Sequence, residues 1–183
     1  MAQQIIEVHV GNPWQLFNAI DPAPFGERDL DPKVEEFVVD WARDLAADAP
    51  LALRIHVDHT AGSAEEGVVL GDAINRYFSQ RAAATRRRLR RLFRVGRISL
   101  IIGLAALTAL LAAGQLVAAR IRGGVGEVLR ESLLIGGWVA MWRPVEIFLY
   151  DWWPIRAEAR LFDRLAAMPV RIEYTRSDGP RAG

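Results

Sequence analysis

Arg143 and Glu146 stand three residues apart inside the apolar run that ends in AMWRPVEIFLYDWWP. Residues at that spacing share one helix face, so the two side chains can pair. Pro144 lies between them. It removes one backbone hydrogen bond and disfavours helical geometry at Arg143, so a kink is expected there and the Ala140 carbonyl needs another partner. Trp138 and Trp142 flank the pair and are placed to stack on its guanidinium.

The magnitudes make this pair expensive in a membrane. A central Arg costs about 2.5–3.5 kcal/mol, whereas each Leu, Ile, Phe or Val returns about 0.3–0.6 kcal/mol. Eight such residues between Leu133 and Leu149 therefore offset little more than Arg143 alone. If Trp152 marks the interface, Arg143 lies about 14 Å deeper by helical rise, near the midplane. The helix should insert poorly alone and needs a partner for its charges. The pair then reads as a helix–helix or subunit contact, or as part of an ion path built from several copies.

Other residues that could do chemistry are sparse. His9, His56 and His59 are the only histidines, and the chain has no cysteine, which excludes disulfides, thiolate catalysis and Cys-based metal sites. His9 and His56 can share one strand face near Glu7 and Asp58, but His56 and His59 fall on opposite faces of a strand. Cross-strand pairs of Glu7 or Asp58 with Arg54 and Arg171 account for these polar residues without a metal. The acids Asp21, Glu27, Asp29 and Asp31 lack the spacing of a calcium loop. GGVG at 123–126 has the context of a turn and not of a phosphate loop. No catalytic residue, metal or cofactor is expected.

The positioning elements follow from charge and hydropathy. Residues 1–80 hold 5 basic and 14 acidic residues, whereas residues 81–183 hold 18 basic and 8 acidic, so a net charge of +1 conceals two complementary halves. Ile98 to Ala119 is 22 residues without a charge. At about 1.5 Å per residue it spans roughly 33 Å, enough for a hydrocarbon core of about 30 Å. A second span is expected over 132–153, closed by Tyr150, Trp152 and Trp153 as an interfacial belt, with an external loop over 120–131. No cleavable signal peptide is expected from MAQQIIEVHVGNPW.

Arginine bias orients this antiparallel hairpin. Arg86, Arg87, Arg88, Arg90, Arg91, Arg94 and Arg97 precede the first span, along a basic juxtamembrane helix expected over 67–97. The external loop carries only Arg120, Arg122 and Arg130. Both termini are therefore expected in the cytoplasm, with the arginines against anionic headgroups. Nothing in the cluster has the aromatic interleaving of a nucleic-acid site.

Three segments alternate with period two: IIEVHV, LALRIHVDH and PVRIEYT. Between the first two, Asp31 and Pro32 have the N-cap and N1 pattern of a helix whose Val34, Phe37, Val38, Trp41, Leu45 and Ala46 would cover the sheet. The third strand returns after the hairpin. It has a reason to dock, because two strands alone are marginal.

The expected fold is thus an α+β membrane protein: a two-span transmembrane hairpin with helical extensions, and a small cytoplasmic α/β sheet domain. Residues 1–66 begin that domain, an amphipathic helix and strand over 154–176 complete it, and 177–183 form a tail. The small residues Gly103, Ala105, Ala109 and Ala113 of the first span mark a packing interface with the second span, another copy or another subunit. The chain has the look of a bacterial inner-membrane protein. The expected role is non-enzymatic, as a structural or accessory subunit of an oligomeric membrane complex. The alternatives are a homo-oligomeric channel or transporter-like pore using Arg143 and Glu146, and a cytoplasmic ligand sensor.

Overall fold

The computed structural model describes residues 3–22, 28–46, 49–58, 64–121 and 123–174. His59, Glu27, Arg122 and the tail lie outside these residues. The order is β1 (Gln4–Val10), a 3-10 turn (Pro13–Leu16), α1 (Pro32–Asp44), β2 (Leu51–Val57), α2 (Ala64–Arg120), α3 (Gly124–Glu146), a π turn (Ile147–Asp151), α4 (Trp152–Ala167) and β3 (Val170–Tyr174). The protein is mixed but mostly helical, with two long apolar helices and a small parallel sheet. Two compact units divide it: Met1–Ala84 with Ala157–Gly183, and Thr85–Arg156.

In the first unit, the period-two segments form a three-stranded sheet in the order β1-β2-β3, with both pairings parallel. The returning segment does join the sheet, placing Ile172 beside Ile55 and Glu173 beside His56. One sheet face carries Ile6, Val8, Leu53, Ile55 and Val57 into a core with Leu70, Ile74 and Phe78 of α2 and Phe162 and Leu165 of α4. The other face, with Glu7, His9, Arg54, His56, Arg171 and Glu173, is polar. Asp31 caps α1 as expected, its Oδ1 accepting from the Lys33 N–H at 2.9 Å.

The buried stripe of α1 differs from expectation. Val38, Val39 and Ala42 are buried, whereas Phe37 and Trp41 are 43% and 50% exposed. The reason is Glu35. Its carboxylate is held by Tyr77 and Arg81 of α2, which fixes the rotation of α1 and turns the two aromatics outward, against each other.

In the second unit, the C-terminal half of α2 packs antiparallel against α3. Gly96 faces Ile147 and Phe148, Gly103 faces Ala140, Leu107 faces Gly137, and Gly114 faces Arg130. The connection is shorter than the loop expected over 120–131. Helix resumes at Gly124, because Gly123 takes φ +106°, a conformation that L side chains rarely adopt, and its carbonyl accepts from the Gly126 N–H. Pro144 does not end the helix either. The Ile147 N–H reaches both the Arg143 and Pro144 carbonyls, and a π turn follows that runs into α4. The stretches Glu65–Arg120 and Gly124–Ala167 are each long and apolar enough to cross a membrane.

Candidate functional site: charges on the second apolar helix

The i, i+3 spacing brings Arg143 and Glu146 together as expected, with Arg143 Nη1 donating to Glu146 Oε2 at 2.8 Å. A third group joins them. Asp151 Oδ2 lies 3.4 Å from the same nitrogen. In a regular α-helix a residue eight positions on overshoots two turns by about 80°. The wider π turn, closing i to i+5, takes up the extra residue and swings Asp151 back onto the Arg143 face. The cluster is thus one cation and two carboxylates.

Its surroundings separate two sides of α3. Pro144 and Gly137 are buried against α2. Arg143 and Glu146 point elsewhere, with side chains 58% and 42% exposed. Trp138 and Trp142 are also exposed, and neither indole stacks on the Arg143 guanidinium. The expected aromatic clamp is therefore not formed. The cation–π contacts among the described residues are Arg81 over Phe162 and Arg156 over Trp152. The indoles turn outward because the opposite side of α3, where its glycines lie, is the side that fits closely against α2.

The freed Ala140 carbonyl does find a neighbour. A Cβ added at Gly103 would stand 3.0 Å from that oxygen and 3.0 Å from Met141 Sδ, so a larger residue would have to push these neighbours back by a few tenths of an ångström. A Cα–H of Gly103 is the group presented there, a weak donor of the kind found where helices touch closely. Beyond the proline, Trp152 Nε1 donates to the Phe148 carbonyl at 2.9 Å within the π turn.

The four small residues of α2 do not all face α3. Gly103 is buried at the seam, Ala113 is half-buried, and Ala105 and Ala109 are exposed. The seam instead runs through Gly96, Gly103, Leu107, Leu110 and Gly114. Arg86, Arg87, Arg88, Arg90, Arg91, Arg94 and Arg97 are all exposed.

On the open sheet face, His9 and His56 stack at 4.5 Å with an interplanar angle of 16°. Arg54 lies between Glu7 (3.0 Å) and Glu173 (3.2 Å), and His56 Nδ1 is 3.6 Å from Glu173. The Arg54–Glu173 contact is an ion pair without hydrogen-bond alignment, since Nε has no hydrogen-bond partner. This is a ladder of cross-strand polar pairs, and no group of three metal-ligating side chains forms among the described residues.

Sequence reasoning missed one partly buried network. Tyr77 Oη donates to Glu35 Oε2 at 2.5 Å, and Arg81 reaches Glu35 Oε1 at 2.6 Å through Nη2 and 2.7 Å through Nε. Burial, reinforced by the bond to Glu35, pushes the Tyr77 phenol well above its ordinary range. Burial alone would lower the Arg81 guanidinium, but the Glu35 hydrogen bond and charge outweigh it and the group is raised. The partners are more than forty residues apart in sequence, so no local spacing announces them.

The chain matches no protein-family model, no curated protein and no solved structure. Its own residues must carry the functional reading.

Proposed function

We propose that this chain is a two-span membrane protein that acts by assembly, as a non-enzymatic structural or accessory subunit of an oligomeric membrane complex. The supporting observation is the exposure of the Arg143–Glu146 pair. A hairpin standing alone in a bilayer would turn a guanidinium and a carboxylate toward lipid, at a cost that its apolar neighbours barely offset. A second chain covering that face, with Trp138 and Trp142 at the contact, removes the cost.

The membrane reading has its own support. The core helix of a soluble protein can match a membrane span in length and composition but is mostly buried, whereas only 11% and 17% of the two apolar windows are. The arginine-rich approach to the first span favours cytoplasmic termini, and the bacterial inner membrane is the proposed location. The sheet unit then serves as the cytoplasmic contact surface.

The absence of native cysteine makes the test direct. Val139 is 68% exposed and lies one turn before Arg143. Val139→Cys in membranes should form an oxidative cross-link to another copy or to a co-purifying subunit, while Ile101→Cys on the other helix should cross-link far less. A monomer by native mass in mild detergent, with no cross-link at Val139→Cys, would sink the proposal. Ion flux that is abolished in Arg143→Gln while the oligomer persists would favour the pore reading instead.

A further inference from the structure

A groove of about 580 Å³ opens beside the charged cluster, lined by Arg88, Arg91, Leu92, Val95, Tyr150, Asp151, Pro154 and Ile155. It lies wholly within the second unit, between α2 and the π turn with the start of α4. We infer that this groove is a binding site for one anionic phospholipid, Arg88 and Arg91 holding the phosphodiester and Leu92, Val95 and Tyr150 receiving the first part of an acyl chain. The inference rests on the membrane reading above and adds a defined lipid site to it.

The argument is one of charge and geometry. Arg88 and Arg91 are three apart on α2, so they share a face, and both are exposed without an acidic partner among the described residues. Asp151 lines the same groove, but its carboxylate lies 3.4 Å from Arg143 Nη1 and is already paired. The free charge in the groove is therefore positive. Two guanidiniums offer planar, forked donors suited to phosphate oxygens. The remaining wall is apolar and aromatic, with Val95 44% and Tyr150 69% exposed. That combination fits an amphiphile better than a free phosphate, which would leave the apolar wall wet.

The end of the hairpin is also braced. Phe93 stands 6.3 Å from Phe148 and 6.4 Å from Trp152, ring centre to ring centre, and Gly96 admits Ile147 and Phe148 against α2. The walls are therefore held apart by packed rings. The position suits a headgroup, because the arginines precede the uncharged run that begins at Ile98 and Tyr150 belongs to the aromatic belt that closes the second span.

The test uses the full chain in mild detergent, titrated with dioleoylphosphatidylglycerol or dioleoylphosphatidylcholine and read by native mass spectrometry. One phosphatidylglycerol per chain should remain bound, with phosphatidylcholine much weaker. Arg88→Gln/Arg91→Gln should weaken phosphatidylglycerol retention by roughly tenfold or more. The control Arg87→Gln/Arg94→Gln removes the same charge from the same helix outside the groove and should weaken it no more than about threefold. Equal loss in the two double variants, equal retention of the two lipids, or a second copy in place of lipid would each overturn the site. Carbonate extraction separates the two readings. A chain released from membranes at high pH defeats the membrane reading itself, whereas a carbonate-resistant chain lacking the arginine difference defeats only the groove.

Discussion

Gly103 and Pro144 meet across the helical hairpin, the proline Cγ lying 3.5 Å from where a Cβ on residue 103 would sit. The same glycine faces the Ala140 carbonyl, whose hydrogen-bond donor that proline removed. One residue on α2 therefore accommodates the irregularity of α3, both its ring and its orphaned oxygen.

Gly103→Ala should accordingly loosen the hairpin. Its methyl group would press on backbone oxygen and on the Met141 sulfur, and overpacking of this kind costs about 1–3 kcal/mol. Thermal unfolding of the full chain in detergent should show a lower midpoint, while Ala105→Leu on the exposed side changes hairpin stability by no more than about 0.5 kcal/mol. Equal effects at the two positions would contradict the seam described above.

The charge pair gives a second test, by double-mutant cycle. If the proposed subunit contact forms, Arg143→Gln leaves the Glu146 and Asp151 carboxylates without their cation and should weaken association by about tenfold or more, whereas Glu146→Gln leaves Arg143 paired with Asp151 and should cost less. The double neutral variant should recover part of the Arg143→Gln loss, because only the Asp151 carboxylate is then left without its cation. Association by sedimentation equilibrium in detergent reads the four states, and strictly additive losses would mean that the pair does not act as a unit.

The Glu35 network predicts a pH dependence. The folded Tyr77 phenol titrates above its unfolded counterpart, so above about pH 10 the unfolded chain releases a proton that the folded chain keeps. This contribution is fully present below about pH 10 and is lost as pH rises further. Tyr77→Phe should cost about 0.5–1.5 kcal/mol at neutral pH and flatten the alkaline fall in stability. Glu35→Ala should cost more, about 1.5–3 kcal/mol, because it removes two partners at once, one of them charged. Chemical denaturation at pH 7 and pH 10.5 checks both variants. An unchanged alkaline slope in Tyr77→Phe would show that the phenol is not the group responsible.

Deleting Met168 to Gly183 removes β3 and exposes the β2 edge from Leu53 to Val57. Limited proteolysis should then cut within residues 1–84 faster, by about tenfold for every 1.4 kcal/mol of local stability lost. An unchanged digestion rate would mean that β1 and β2 hold without it.

Much of this architecture was legible in the residues. Period-two alternation marked all three strands, and a charge-free run marked the first apolar helix. Asp31 and Pro32 marked the start of α1, and i, i+3 spacing marked the Arg143–Glu146 pair. Asp151 was hidden because its place in the cluster depends on a π turn, which shifts the helical phase without any local motif. The exposure of Phe37 and Trp41 was hidden because a distant pair, Tyr77 and Arg81, sets the rotation of α1. Of the small-residue stripe, Gly103 lies at the contact with α3, whereas Ala105 and Ala109 face outward, because the glycines and not the alanines allow the closest approach within the hairpin. The seam between α2 and α3 with its π turn is tightest at Gly96, Gly103 and Gly137, where an added Cβ would stand 2.8, 3.0 and 2.6 Å from its nearest neighbour.

The sheet order has a consequence for how the chain is made. β2 ends at Val57 and its second neighbour, β3, starts only at Val170, with both apolar helices synthesised in between. At about 5–20 residues per second, the ribosome leaves β2 with one edge unsatisfied for on the order of 5–20 s. The final strand is thus a latch. The N-terminal unit closes only after the hairpin has been synthesised, so a chain whose synthesis stops within the hairpin presents a bare strand edge to proteases and chaperones.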